Sequence, residues 1–281
     1  MKNKSHFWPG IIFFSILFFG SFVISDGAHM MFNLVGLVVV LAGTLGAAFF
    51  SYSGEELHSS YKVAINSYRT PPPTAKEVVD ALLDLSLRSR MDGLLALENE
   101  EEHTSVLFLR RALSMMVDGF KSEEVRDSLD TETYFFEQRR IKHERVFRHL
   151  ASMAPAFGVT GSVIGLIGML SGIGDTGVII HTIPIALTST LYGIVLANYF
   201  LTPIAENIYA KTQDEMLIHK LIIEGVTLIA HEYNTLRLQT KLESFLTPSV
   251  RGVQHKSLEE IRGHYEYLKN MQIERAEAAG E

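Results

Sequence analysis

Two hydroxyl side chains set deep in apolar sequence are the residues of this chain best suited to handling an ion. Ser162 lies within Ala151 to Gly172 and Thr190 within Thr182 to Ile204, and neither stretch contains Lys, Arg, Asp or Glu. Glycines recur around the first hydroxyl at Gly158, Gly161, Gly165, Gly168 and Gly172, a spacing of three, four, three and four that defines one helical face. Ser162 shares that face. Ala186, Thr190, Gly193 and Ala197 repeat the arrangement, which puts Thr190 on a face of small residues too. At about 1.5 Å per residue, Ser162 falls about 15 Å below the outer end of its helix and Thr190 about 10 Å below its own. The two hydroxyls are therefore expected at similar depth, where each either lines an ion path or bonds back to the carbonyl one turn earlier. For the glycines the expected role is helix packing, because a missing side chain lets a neighbouring backbone come close.

An ion crossing an apolar interior generally needs an ionisable ligand, and none is present at this depth. If the chain conducts, a partner must bring the carboxylate. Pro155 and Pro203 sit near the inner ends of the two stretches, where each removes a backbone hydrogen bond and crowds the carbonyl four residues earlier, at Ala151 and Tyr199. They read as hinges or as static kinks. The eleven histidines show no metal-binding spacing, and no phosphate-cradling glycine loop or nucleophile elbow occurs, so neither an enzyme nor a metal site is expected.

The elements that position these residues follow from the distribution of charge. Of 281 residues 47% are hydrophobic and 20% charged, yet the two populations segregate. Phe7 to Ile24, Met30 to Phe50, Ala151 to Gly172 and Thr182 to Ile204 are apolar runs long enough to cross a bilayer as helices. A secretory signal is the rival for the first run, but the run is longer and more aromatic than a usual signal core, and Ser25 to His29 offers no convincing small-x-small cleavage site before the second begins. Both short hairpins, Ser25 to His29 and Gly172 to His181, lack Lys and Arg. All 25 basic residues lie in the other segments: two at the N-terminus, 14 between Ser51 and Leu150, nine after Glu206. Basic residues remain on the cytoplasmic side, so both termini and the middle segment are expected there and the hairpins outside. A net charge of −7 without a basic, aromatic-laced patch gives no nucleic-acid footprint.

The fold class expected is an all-α integral membrane protein. Residues 1–50 hold two spans, 51–150 a cytoplasmic helical domain, 151–205 two further spans with the ion path, and 206–281 a cytoplasmic helical extension and tail. Within the middle segment Thr74 to Glu77 has the form of a capping box after the breaker at Pro71 to Pro73. Val78, Val79, Leu82, Leu83 and Leu87, then Leu107, Leu109, Leu113 and Met116, recur at helical spacing. Arg90 and Glu98 stand eight residues apart, and on one continuous helix they would share a face.

With these residues in place, the sequence resembles the MotA/TolQ/ExbB ion-channel family. The resemblance rests on Ala154-Pro155-Ala156-Phe157-Gly158 with Gly161-Ser162-Val163-Ile164-Gly165-Leu166-Ile167. Ala186 to Gly193, Ala197-Asn198 and Pro203-Ile204-Ala205 add to it. Arg90-Met91-Asp92-Gly93-Leu94-Leu95-Ala96-Leu97-Glu98 is similar to the cytoplasmic block of its flagellar MotA-type branch, and four spans fit that branch better than the three of TolQ and ExbB relatives. The resemblance implies a pentameric ring in the bacterial inner membrane around a single-span MotB-like partner that supplies the membrane Asp. It also implies an ion path through Ser162, Ser189 and Thr190, gating at Pro155 and Pro203, and contact of Arg90 and Glu98 with the rotor protein FliG. The transported ion is H+ or Na+: Ser189-Thr190 falls between the Thr-Thr of sodium-using members and the Ala-first pair of proton-using ones, and protons are the preferred reading. No cofactor is implied. Two readings stand beside this one: a relative energising gliding, outer-membrane transport or defence, and a membrane scaffold whose glycines only pack.

Overall fold

The computed structural model describes residues 7–24, 31–69, 72–93, 97, 106–231 and 234–248. Every regular element among them is helical: α1 Phe7–Ile24, α2 Leu34–Ser51, α3 Gly54–Arg69, α4 Ala75–Asp92, α5 Leu107–Val117, α6 Ser122–Ser171, α7 Thr176–Val195, a π-helical segment Leu196–Leu201, α8 Thr202–Ala230 and α9 Thr235–Glu243. Three helical runs are long and apolar enough to cross a membrane by length and composition, namely Leu34–Ser51, Ser122–Ser171 and Thr176–Ala230. The apolar part of α1, Pro9–Ile24, is shorter.

Local sequence sets the ends of these helices. Asn33 caps α2, its Oδ1 accepting from the Gly36 N–H at 2.9 Å. The capping box at α4 is present in both directions: Thr74 Oγ1 accepts from the Glu77 N–H at 3.2 Å, and Glu77 Oε2 from the Thr74 N–H at 2.9 Å. Hydrogen bonding to the carboxylate, first from the Thr74 backbone N–H and then from the Thr74 side chain, holds the Glu77 carboxyl below its usual range. Between α6 and α7 the chain turns at Gly174, whose φ of 108° excludes most L side chains, and Asp175 Oδ1 then accepts from the Gly177 N–H at 2.8 Å to start α7.

The chain divides into two compact units, Met1–Asn66 with Lys142–Ile208 and Ser67–Ile141 with Tyr209–Glu281. This cuts across the expected boundaries at 51–150 and 206–281. Packing is the reason. Leu221, Ile222 and Val226 of α8 and Leu238 and Leu242 of α9 bury into one core with Val78, Leu82, Leu109, Leu113 and Leu129, so the C-terminal segment completes that core. Most of α3, by contrast, belongs to the first unit, where Ala64 packs with Phe147, Ala205 and Ile208. The first unit exposes many large apolar side chains, among them Phe14, Ile24, Phe50, Ile167 and Leu187. Such a surface belongs in lipid.

In the second unit the His219 ring stacks on Phe108 with centroids 3.9 Å apart and leans on Phe136 at 4.9 Å. Its Nδ1 is buried without a hydrogen-bond partner. Arg140, paired with Glu215 at 2.6 Å, lies over the Phe136 ring. Burial first, and the Arg140 charge second, pull the imidazole from 6.5 down to about 4. The unfolded chain therefore binds more protons than the folded one between these values, and stability must fall as pH drops through that window. In a His219→Phe variant the ring stack survives without the titration. Melting in detergent at pH 7 and pH 5 should show a smaller acid-induced drop in Tm for the variant than for the parent; equal drops would contradict this account.

Candidate functional site

The membrane part of α6 meets α7 along the glycine face. A Cβ at Gly165 would stand 2.7 Å from the Ala186 nitrogen, one at Gly158 2.9 Å from the Ser189 carbonyl oxygen, and one at Gly161 2.6 Å from the Ser189 side chain. From the other helix, a Cβ at Gly193 would lie 2.5 Å from the Ala154 carbonyl oxygen and 3.1 Å from the Pro155 Cα. The structure thus places Gly158, Gly165 and Gly193 against the backbone of the facing helix and Gly161 against the Ser189 side chain, the geometry that small faces permit in a membrane.

That approach brings the two hydroxyls together. Ser162 Oγ lies 2.5 Å from Thr190 Oγ1, with the Gly158 carbonyl oxygen at 3.3 Å, and it also hydrogen-bonds the Ala186 carbonyl. A hydroxyl donates once and accepts twice, so Ser162 can accept from Thr190 while donating to Ala186. The result is a cluster of four neutral oxygens. Both side chains are half-buried rather than sealed. Neutral oxygens ligate a cation or pass a hydrogen bond along, but they supply no charge to offset an ion's desolvation in a medium of low dielectric. Ala186 enters through its main chain, which residue type alone does not reveal.

Ser189 takes a different place from its neighbour. It is wholly buried, seated between Gly36 of α2 and Gly161 of α6, and its hydroxyl donates back to the Ile185 carbonyl at 2.7 Å. Consecutive helical residues point about 100° apart, so Ser189 faces the packing between helices while Thr190 faces Ser162.

The prolines differ from one another. Pro155 lies inside α6 with no break in the α-helical run. One residue, Thr202, separates Pro203 from the π-helical segment, and its N–H reaches back to the Ala197 carbonyl. Pro203 has no N–H to offer Asn198 in the π register or Tyr199 in the α register, so the helix widens just where a donor is missing. Tyr199, within that segment, is held by α1: its hydroxyl lies 2.5 Å from Ser15 Oγ, and its ring stacks on Phe18 with centroids 5.3 Å apart. A third proline, Pro184, lies inside α7, again with no break in the α-helical run.

Arg90 is exposed in the last turn of α4. Glu98 lies outside the described residues. The single-helix relation expected of the pair does not hold, because α4 stops at Asp92 and Gly93 takes a φ of 81°. The Asp92-Gly93 dipeptide carries that stop signal.

Comparison with known proteins matches residues 100–220 to the model of the MotA/TolQ/ExbB proton channel family. The Bacillus subtilis (strain 168) protein YtxD, uncharacterized by its name, is 30% identical over 85% of this chain and 88% of its own length. Motility protein A of Treponema phagedenis is also 30% identical, over 84% of this chain and 90% of its own. Among solved structures, the flagellar MotAB stator complex from Bacillus subtilis superposes with a TM-score of 0.80 at 27% identity, covering 89% of this chain and 98% of that one.

The close backbone approach yields a test. Gly165→Ala sets a methyl against the Ala186 main chain, which has no soft atom to yield, whereas a Cβ at Gly46 meets nothing within 4 Å. Gly165→Ala should destabilise the first unit by roughly 1–3 kcal/mol, read as a lower Tm and lower membrane abundance, while Gly46→Ala stays at the parent level. Equal stability of the two variants would show that the α6–α7 contact is looser than described.

Proposed function

This chain belongs to the MotA/TolQ/ExbB proton channel family, and on that premise we propose that it is the channel-ring subunit of an ion-driven flagellar stator. The observation that carries the reading is the meeting of Ser162 and Thr190 at 2.5 Å in spans that hold no carboxylate. Such a site is half of an ion path. A single-span MotB-like subunit supplies the missing Asp, and copies of this chain form a pentameric ring around a dimer of that partner. Motility protein A relatives and the superposed MotAB stator support this assignment.

In this reading α1, α2, the apolar part of α6 and α7 with its π segment are four spans of the bacterial inner membrane, with both termini in the cytoplasm. An ion, H+ by preference, passes from the partner's carboxylate across the Ser162–Thr190 oxygens and turns the ring. Pro155 and Pro203 gate the path. Ser189 contributes by seating the path helix against α2 and α6. Arg90 and Glu98 meet the rotor protein FliG, and torque passes through them. The chain is a conduit and lever, not an enzyme, and it needs no cofactor beyond the transported ion.

Two measurements test this. Vesicles holding the chain alone should show no proton or sodium leak above background, while the complex with its partner should leak. Thr190→Val keeps shape and removes the hydroxyl, so motility should be lost with assembly intact; wild-type swimming would return Thr190 to a packing role.

The driven machine is tested separately. Arg90→Glu should lower torque without lowering ion flux or membrane abundance, and an opposite-sign change on FliG should partly restore it, as expected of charges that act by steering and register. Full motility with an unaltered rotor would point to a relative that drives another machine.

A further inference from the structure

Between Pro184 and the π segment, Tyr192 of α7 hydrogen-bonds to the residues that lead into α2. Met31, Phe32 and Asn33 lead into α2 without continuous helix, so the Asn33 N–H and the Met31 carbonyl have no partners within α2 itself. In a membrane each such group costs free energy unless satisfied. The Tyr192 hydroxyl satisfies both, accepting from the Asn33 N–H at 2.8 Å and donating to the Met31 carbonyl. One residue of α7 thus uses a phenol's donor and one of its acceptor positions on the same break in α2.

Tyr192 follows Thr188 and Ser189 by four and three residues, so the three share a face of α7. That face is seated on Gly36, where a Cβ would stand 2.7 Å from Ser189 Oγ and 3.4 Å from Thr188 Oγ1. Thr190 lies two residues from Tyr192, about 200° around the helix, and turns instead toward Ser162. Tyr192 therefore touches neither Ser162 nor the path. What it fixes is the rotation of α7 about its own axis, in a stretch that lies between Pro184, which has no N–H to donate, and the change to π winding at Leu196.

We propose that Tyr192 is a positioning residue for the ion path: by clamping the start of α2 it sets the rotation of α7 that holds Thr190 against Ser162. This deepens the stator reading and rests on it only for the effect on ion flux.

The chain has no cysteine, so the clamp is measurable separately from ion flux. With Ser162→Cys and Thr190→Cys in the complex with its partner, mild oxidation should join the two thiols within one subunit, read as protection from maleimide labelling. Adding Tyr192→Phe removes both hydrogen bonds. With both bonds gone, a roughly tenfold slower protection is expected. Gly36→Ala, which pushes on Ser189 from the α2 side, should slow it as well and serves if Tyr192→Phe folds poorly. Tyr199→Phe, which frees Ser15 in α1, should leave the rate unchanged.

In the cysteine-free parent complex, Tyr192→Phe should lower ion flux at unchanged abundance, and a Thr190→Val, Tyr192→Phe double variant should be no worse than Thr190→Val alone. Unchanged protection in both Tyr192→Phe and Gly36→Ala overturns the clamp. Slower protection with undiminished flux leaves the clamp standing and overturns the ion-path reading instead.

Discussion

Two helix backbones that come within van der Waals contact hold little room for side chains between them, and the remainder of the first unit is arranged around that restriction. With a Cβ at Gly165 only 2.7 Å from the Ala186 nitrogen, and one at Gly193 only 2.5 Å from the Ala154 carbonyl oxygen, even alanine is too large at the crossing. Lipid tails are as apolar as the helices, so burial of apolar surface gives little drive for the pairing, and close packing has to supply it. The same closeness sets the distance between the hydroxyls. Ser162 reaches Thr190 and the Ala186 carbonyl because nothing larger than hydrogen lies on the glycine face around it.

A second constraint follows from the first. Polar groups brought into an apolar interior have to be satisfied there, and the structure meets that demand by several routes. Thr188 and Ser189 return their hydroxyls to carbonyls one turn earlier, at Pro184 and Ile185, each at 2.7 Å. The π winding at Leu196–Leu201 meets the absent donor at Pro203 by shifting register, and Tyr192 closes the break before α2. Among the described residues, the Ser162–Thr190 pair combines two side-chain hydroxyls with the main-chain oxygens of Gly158 and Ala186 on half-buried ground. The proposed ion path rests on that difference.

Much of this was legible in the amino-acid order. Segregation of charge gave the apolar helices, and spacings of three and four put Ser162 and Thr190 on small faces before any contact was known. What escaped needed information that spacing along one helix does not carry. Ser189 looks equivalent to Thr190 in sequence, yet one residue of helix is 100° of rotation, and only the position of α2 decides which of the two is sealed. Tyr192 matters through residues 161 and 159 positions away in the chain. The π segment depends on how α7 answers a proline that elsewhere, at Pro155, leaves the helix regular. In the second unit the extension after Tyr209 looked like a projecting helix, because its apolar face is visible in sequence but the core it completes is not. The stop at Gly93 was written in Asp92-Gly93, and a helical reading carried through it to Glu98 was wrong.

The account centres on Ser162 and Thr190 acting as one unit in ion passage. A double-mutant cycle on ion flux tests that directly: Ser162→Ala, Thr190→Val and the pair of changes together, each in vesicles with the partner subunit and at matched abundance. If the hydroxyls serve one path, the first removal takes most of the flux and the second adds little, so the double variant conducts about as much as the weaker single. Losses that simply multiply would show two independent residues, and flux at the parent level in all three variants would contradict the account.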